Sequence, residues 1–184
     1  MVFQTRIHGR GGQGVVTAAE MLSVAAFLEG RHAQAFPTFG SERTGAPVVS
    51  YCRISDQEIR VREPIVEPDC VIVQDVTLLR QIDVFAGLRP GGHVLINTAK
   101  GPEELGVRGV CVPATEIALR HVGKPVPNAA LLGAFCALTG VLSLESVCAA
   151  VRATFPGPVA EANVAAAGEA HAHLKAQLEE AARA

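Results

Sequence analysis

Seven residues near the start of this chain decide its architecture more than any others: His8-Gly-Arg-Gly-Gly-Gln-Gly14 puts four glycines into six positions between two apolar runs. Residues 2–8, with Val2, Phe3, Thr5 and Ile7, alternate in the manner of a strand. Residues 15–28, VVTAAEMLSVAAFL, form a long alanine-rich run closed by Gly30 that predicts a helix, and its scarcity of charge predicts burial on both sides. A strand turning straight into a packed helix is the opening unit of an α/β domain, so the rest of the sequence must supply more strands and helices to cover them.

A short strand is predicted at 33–36, followed by the loop Pro37-Thr-Phe-Gly-Ser-Glu-Arg-Thr-Gly-Ala-Pro47. Residues 48–54 and 58–62 are β-rich runs separated by Ser55-Asp56-Gln57, which predicts a hairpin and one antiparallel edge. After Glu67-Pro68, the continuous apolar run DCVIVQD, residues 69–75, is of the kind buried inside a parallel sheet. Residues 77–85 read as helix, 93–97 and 107–112 as strands, and 101–109 as the most mobile connection. From Thr115 onward only helices are expected, at 115–121, 128–139, 143–154 and about 159–182, punctuated by Lys124-Pro-Val-Pro127 and Pro156-Gly-Pro158. The expectation is a single domain spanning 1–184 with a three-layer α/β fold. Its sheet is mostly parallel and Rossmann-like, with an antiparallel hairpin edge and a helical C-terminal part.

Composition narrows the function. Lys and Arg number 16 against 18 Asp and Glu, with no block of like charge, so neither nucleic acid nor an anionic membrane is an expected partner. Any anion site must be local. Five cysteines, Cys52, Cys70, Cys111, Cys136 and Cys148, contain no C-x-x-C pair and read as small buried hydrophobes rather than metal ligands. No long uncharged apolar run or signal-like N-terminus appears, and the chain reads as cytoplasmic. Apolar residues make up 49% and charged ones only 18%, which predicts that a partner covers some of the surface.

Gly9, Gly11 and Gly14 satisfy G-x-G-x-x-G in the strand-to-helix context that gives the motif meaning. Unpaired N–H groups at a helix start, and the dipole behind them, favour an anion, and Arg10 within the turn can add a charge-assisted hydrogen bond. A nicotinamide dinucleotide would require an acidic residue on the next strand, where His32-Ala-Gln-Ala-Phe36 has none. A Walker loop would require Lys and Ser or Thr where Val15-Val16 stand. The remaining alternative is a tight crossover that holds no ligand. The loop 36–47 falls where a doubly wound sheet opens its ligand crevice; Phe36 and Phe39 can flank an adenine or an extended apolar arm, and Arg43 can neutralise a phosphate. Read by itself, the same loop is better explained as a surface loop with a local Glu42–Arg43 pair. His171 and His173, two apart on the last helix, fall on different faces and are expected in solvent. No H-E-x-x-H or G-x-S-x-G occurs, so no catalytic residue is assigned, and Asp75 is expected to cap the helix beginning at Thr77.

Together, GRGGQGVVTAAE and AFPTFGSERTGAPVVSYCRISD resemble the gamma subunit of 2-oxoacid:ferredoxin oxidoreductases, the pyruvate synthase family, and the likeness continues in PDCVIVQD, GLRPGGHVLINT, VPNAALLGAFCALTG and EANVAAAGEA. The resemblance implies a non-autonomous subunit of an oxidoreductase that converts a 2-oxoacid to an acyl-CoA, with alpha, beta and delta-type ferredoxin subunits as partners. Thiamine diphosphate would sit on the beta partner and iron–sulfur clusters elsewhere in the complex, none on this chain. Coenzyme A would be bound or positioned here, and the chain would close over the thiamine site. The implied coenzyme A and phosphate site comprises Gly9, Arg10, Gly11, Gly12, Gln13, Gly14, Phe39, Ser41, Arg43 and Asn128, although Asn128, like Asn97, reads equally as a helix cap. The chain departs from many relatives at Thr44, where a basic residue or glycine is common, and at Ala129, where Thr is common. The alternatives are an assembly subunit with a purely structural glycine turn and an autonomous NAD-binding protein. The identity of the 2-oxoacid lies on the other subunits.

Overall fold

The computed structural model describes residues 1–38 and 44–183. Six strands form one mixed sheet: β1 (Val2–Arg10), β2 (His32–Pro37), β3 (Pro47–Ser55), β4 (Cys70–Val73), β5 (His93–Asn97) and β6 (Val110–Val112), in the order β2-β3-β1-β4-β5-β6. The β1–β4, β4–β5 and β5–β6 pairings are parallel, whereas β3 runs antiparallel to both β1 and β2. The helices are α1 (Val15–Leu28), α2 (Pro102–Leu105), α3 (Ala114–Val122), α4 (Asn128–Thr139), α5 (Leu144–Thr154) and α6 (Gly157–Arg183).

The antiparallel edge exists, but its hairpin is β2–β3 and not the expected pairing of 48–54 with 58–62. Residues 58–62 form no strand. The reason is topological: β1 and β2 already occupy both sides of β3, so β3 has no free edge with which 58–62 could pair. The expected helix at 77–85 shrinks to a 3₁₀ turn, Val76–Arg80, capped as anticipated by Asp75, which accepts a hydrogen bond from the Thr77 N–H at 3.0 Å. The stretch 101–109 contains the single-turn helix α2, and the strand expected at 107–112 is only β6.

One face of the sheet carries the main core, in which Ile7, Ile54, Ile72 and Leu95 meet α1, α3, α4 and α5 with α6 wrapped outside them. Helix α4 is buried from Asn128 through Cys136 because it lies between sheet and helix, which is why its sequence shows no polar stripe. Close approach of α4 and α6 requires Gly133: a Cβ there would stand 2.0 Å from the Ala167 carbonyl oxygen. On α1 the sides facing the sheet and α5 are buried, but Phe27 and Leu28 are exposed, so burial on both sides holds for only part of the helix. The other face carries a thinner cover, a smaller apolar cluster of Val71, Val73, Val94 and Ile96 with Leu78 and Val84. Cys52, Cys70, Cys111 and Cys136 are buried and Cys148 is half-buried; burial pushes the Cys52 thiol up to about 12.

Candidate functional site

The chain leaves β1 through α1 toward β2 and β3 on one side and later fills the other side with β4, β5 and β6. That reversal of strand order is where an open α/β sheet parts to admit a ligand, at the carboxyl ends of its parallel strands. A cleft of about 740 Å³ opens there. It is lined by Gly11, Gly12 and Gln13 after β1, Gln74 and Asp75 after β4, Asn97 to Lys100 after β5, Thr115 and Glu116 at the start of α3, and Pro125-Val126 before α4.

The glycine turn is built by backbone geometry. Gly14 is the N-cap of α1 in the left-handed conformation, φ 73°, and as glycine it offers no side chain to cap the helix. A Cβ at this position would also lie 2.7 Å from the Asn128 Nδ2, so only glycine fits on both counts. The first-turn N–H groups of α1 are consequently without an intrahelical partner, and the start of α3 faces the same cleft. Three N–H groups of the turn itself are engaged: Gly11 donates to the Ala46 carbonyl at 2.9 Å, Gln13 to the Arg10 carbonyl at 3.0 Å, and the Arg10 N–H to Gln13 Oε1 at 2.8 Å.

Arg10 is not directed into the cleft. Its Nε pairs with Asp75 Oδ2 at 3.2 Å, Nη1 donates to the Gly45 carbonyl at 3.1 Å, and Nη2 donates to Thr77 Oγ1 and Gln81 Oε1 at 2.7 and 3.0 Å. Gln13 Nε2 donates to the same Asp75 oxygen at 2.8 Å. Burial alone would raise the Asp75 carboxyl, but the Thr77 hydroxyl, the Gln13 amide, the Thr77 N–H and the Arg10 charge outweigh it and hold it below the usual range. Asp75 is thus both the cap foreseen from sequence and the keystone that ties the glycine turn to β4.

The other expected site residues divide clearly. Gly9 is buried under the turn, with Val15 Cγ2 2.5 Å from where its Cβ would be. Gly11, Gly12 and Gln13 reach the cleft, whereas Asn128, 2% exposed, stands behind Gly14 as the first residue of α4, its Oδ1 accepting from the adjacent Ala129 N–H at 2.8 Å; the N-cap position belongs to Pro127. Asn97 is likewise spent inside the fold, donating to the Gln74 carbonyl and Thr115 Oγ1 and accepting from the Thr115 N–H. Phe39, Ser41 and Arg43 lie outside the described residues. Sequence reading missed Lys100 and Gln74, both of which line the cleft; their shared signal was a polar residue at or just past the carboxyl end of an apolar strand. His173 is exposed as expected, while His171 is half-buried.

The family profile described as pyruvate ferredoxin/flavodoxin oxidoreductase matches residues 4–173. The chain belongs to that family. It is 49% identical over 170 residues to pyruvate synthase subunit PorC of Methanocaldococcus jannaschii, covering 92% of this chain and 96% of that one. It is also 49% identical over 176 residues to the common subunit gamma of the pyruvate/ketoisovalerate oxidoreductases of Thermococcus kodakarensis, covering 92% and 95% of the two chains. The crystal structure of pyruvate oxidoreductase subunit PORC from Thermotoga maritima superposes with a TM-score of 0.81 at 37% identity, over 93% of this chain and 96% of that one. The chain is therefore a gamma-type subunit of a 2-oxoacid:ferredoxin oxidoreductase, with the fold read from its sequence. Among the described residues no three His, Cys, Asp or Glu side chains are placed to hold a metal ion, and no helix is long and apolar enough to cross a membrane.

Proposed function

We propose that this subunit takes coenzyme A in the cleft at the carboxyl ends of β1, β4 and β5 and presents its thiol to the acyl group generated on a partner subunit. The observation that carries the reading is the convergence, around one cleft of about 740 Å³, of the uncapped start of α1, the glycine turn and the start of α3. These groups favour anions without any excess of basic side chains. Lys100 supplies a cation at the rim, and the sequence offers Arg43 as a second, while Arg10 acts indirectly by fixing the turn against Asp75. Thiamine diphosphate on a beta partner supplies the decarboxylating chemistry, and iron–sulfur clusters on delta-type and other partners carry the electrons. This chain's contribution is to bind, orient and exclude water, converting thiolysis into a reaction between held groups.

The competing reading is a purely structural assembly subunit, favoured by the commitment of Arg10 to internal contacts and by Asp75 and Glu116 in the cleft wall. Titration of the assembled enzyme with coenzyme A decides between them. Saturable binding weakened about tenfold by Lys100→Glu and by Arg43→Glu is expected, the scale of one lost charge-assisted contact. Absence of saturable binding assigns the chain to assembly. The nicotinamide alternative has no topological support, because β3 separates β2 from β1, and β2 ends at Phe36-Pro37 with no acidic residue.

A further inference from the structure

We propose that the Gln74 side chain reads an amide of the bound carrier's arm, so that the cleft selects an amide-bearing thiol over a bare nucleotide phosphate. The inference rests on the coenzyme A reading and deepens it. Gln74 follows directly on β4 and lines the cleft beneath the glycine turn, its Oε1 3.1 Å from where a Cβ on Gly9 would be. It is 2% exposed, yet among the described residues neither Oε1 nor Nε2 has a hydrogen-bond partner. Its backbone, by contrast, is fixed at both ends: the N–H donates to the His8 carbonyl at 2.7 Å and the carbonyl accepts from Asn97 Nδ2 at 2.8 Å.

A buried amide with both ends unsatisfied is a cost that folded chains ordinarily avoid, and where one is retained in a cleft it marks a contact completed from outside. The neighbouring amides do not share this character. Asn97 is bonded at both ends to Thr115, and Gln13 is bonded at both ends to Arg10 and Asp75. Gln74 is thus the lining amide left without a function inside the fold.

A primary amide presents an acceptor and a donor side by side in one plane, and its natural complement is another amide. An adenine edge offers the same pairing, but an adenine needs flat walls. Among the described residues the apolar lining is Val76, Ala99, Pro125 and Val126, all aliphatic. A slender chain carrying amides, such as the pantetheine arm, fits such walls, and the phosphates are left to the glycine turn and Lys100.

The test is calorimetric titration of the assembled enzyme with coenzyme A and with adenosine 3′,5′-bisphosphate, which keeps the adenine, the 3′-phosphate and one of the two 5′-phosphates but lacks the arm. Gln74→Leu and the unbranched Gln74→Met should each weaken coenzyme A about tenfold, equivalent to two neutral hydrogen bonds, and leave the bisphosphate unmoved. Equal weakening of both ligands, or of neither, overturns the assignment while wild-type coenzyme A binding keeps the parent reading intact. Failure of the wild-type enzyme to bind coenzyme A, or binding indifferent to Lys100→Glu, removes both together.

Discussion

The two faces of the sheet are covered by different means. The helical face is closed by small residues: Ala18, Ala19, Ala25 and Ala26 on α1 and Gly133 on α4 let helices lie close to strands and to one another. The opposite face is held by guanidinium groups. Arg6 donates through Nη2 to the carbonyls of Val84 and Ala86 at 2.9 and 2.6 Å, through Nη1 to Ile65, and through Nε to His8 Nε2 at 3.0 Å. Arg53 donates to Gln4, Gln34 and the Glu63 carbonyl, with Phe36 beneath it at 5.3 Å. Irregular backbone has no repeating apolar side to offer, so its carbonyls must be satisfied individually, and a buried five-donor side chain does this from one position. The contrast teaches that the face away from the helices is a polar lattice on which the strap between β3 and β4 depends.

Four measurements can break or sharpen this contrast. Arg6→Met keeps most of the volume but strands four acceptors, and denaturant unfolding of the subunit should show a loss of about 4 kcal/mol. A loss under about 1 kcal/mol would show the guanidinium to be dispensable. Acid comes next. Burial, and then the Arg6 charge, depress the His8 imidazole from 6.5 to about 4, so the unfolded chain binds the proton more readily than the folded one. The stability this contributes is complete above pH 6.5 and drains away as the pH falls toward 4, up to about 3 kcal/mol, and His8→Gln should flatten that slope. On the helical face, Gly133→Ala forces α4 and α6 apart and should cost about 2 kcal/mol, with no change in the acid slope. Smallest is Ser143→Ala, which removes the Oγ accepting from the Ser146 N–H at 3.1 Å and should cost about 1 kcal/mol.

Elements with strong local signals were legible in sequence. The bounds of α1 and α4 follow from apolar runs ended by glycine, and the strand–turn–helix at the start follows from glycines that no other residue could replace at Gly14. The strand expected at 58–62 did not form because alternation reports that a segment can pair, while both sides of its expected partner β3 are taken by β1 and β2. The partners of Arg10 were illegible for a related reason: its place in the turn suggested an anion, but Asp75, Thr77 and Gln81, to which it is bonded, come from far along the chain.

The sequence by itself determined the α/β class, the uncapped helix start and the kinship with the gamma subunits, since each rests on residues within a few positions of one another or on whole motifs. Only the tertiary structure decided that Arg10 is neutralised by Asp75, that Asn97 is bonded to the start of α3, that Asn128 is buried behind Gly14, and that Gln74 stands unsatisfied among the described residues. Hydrogen-bond partners are assigned by which strand ends and helix starts are brought together, and no local pattern carries that information.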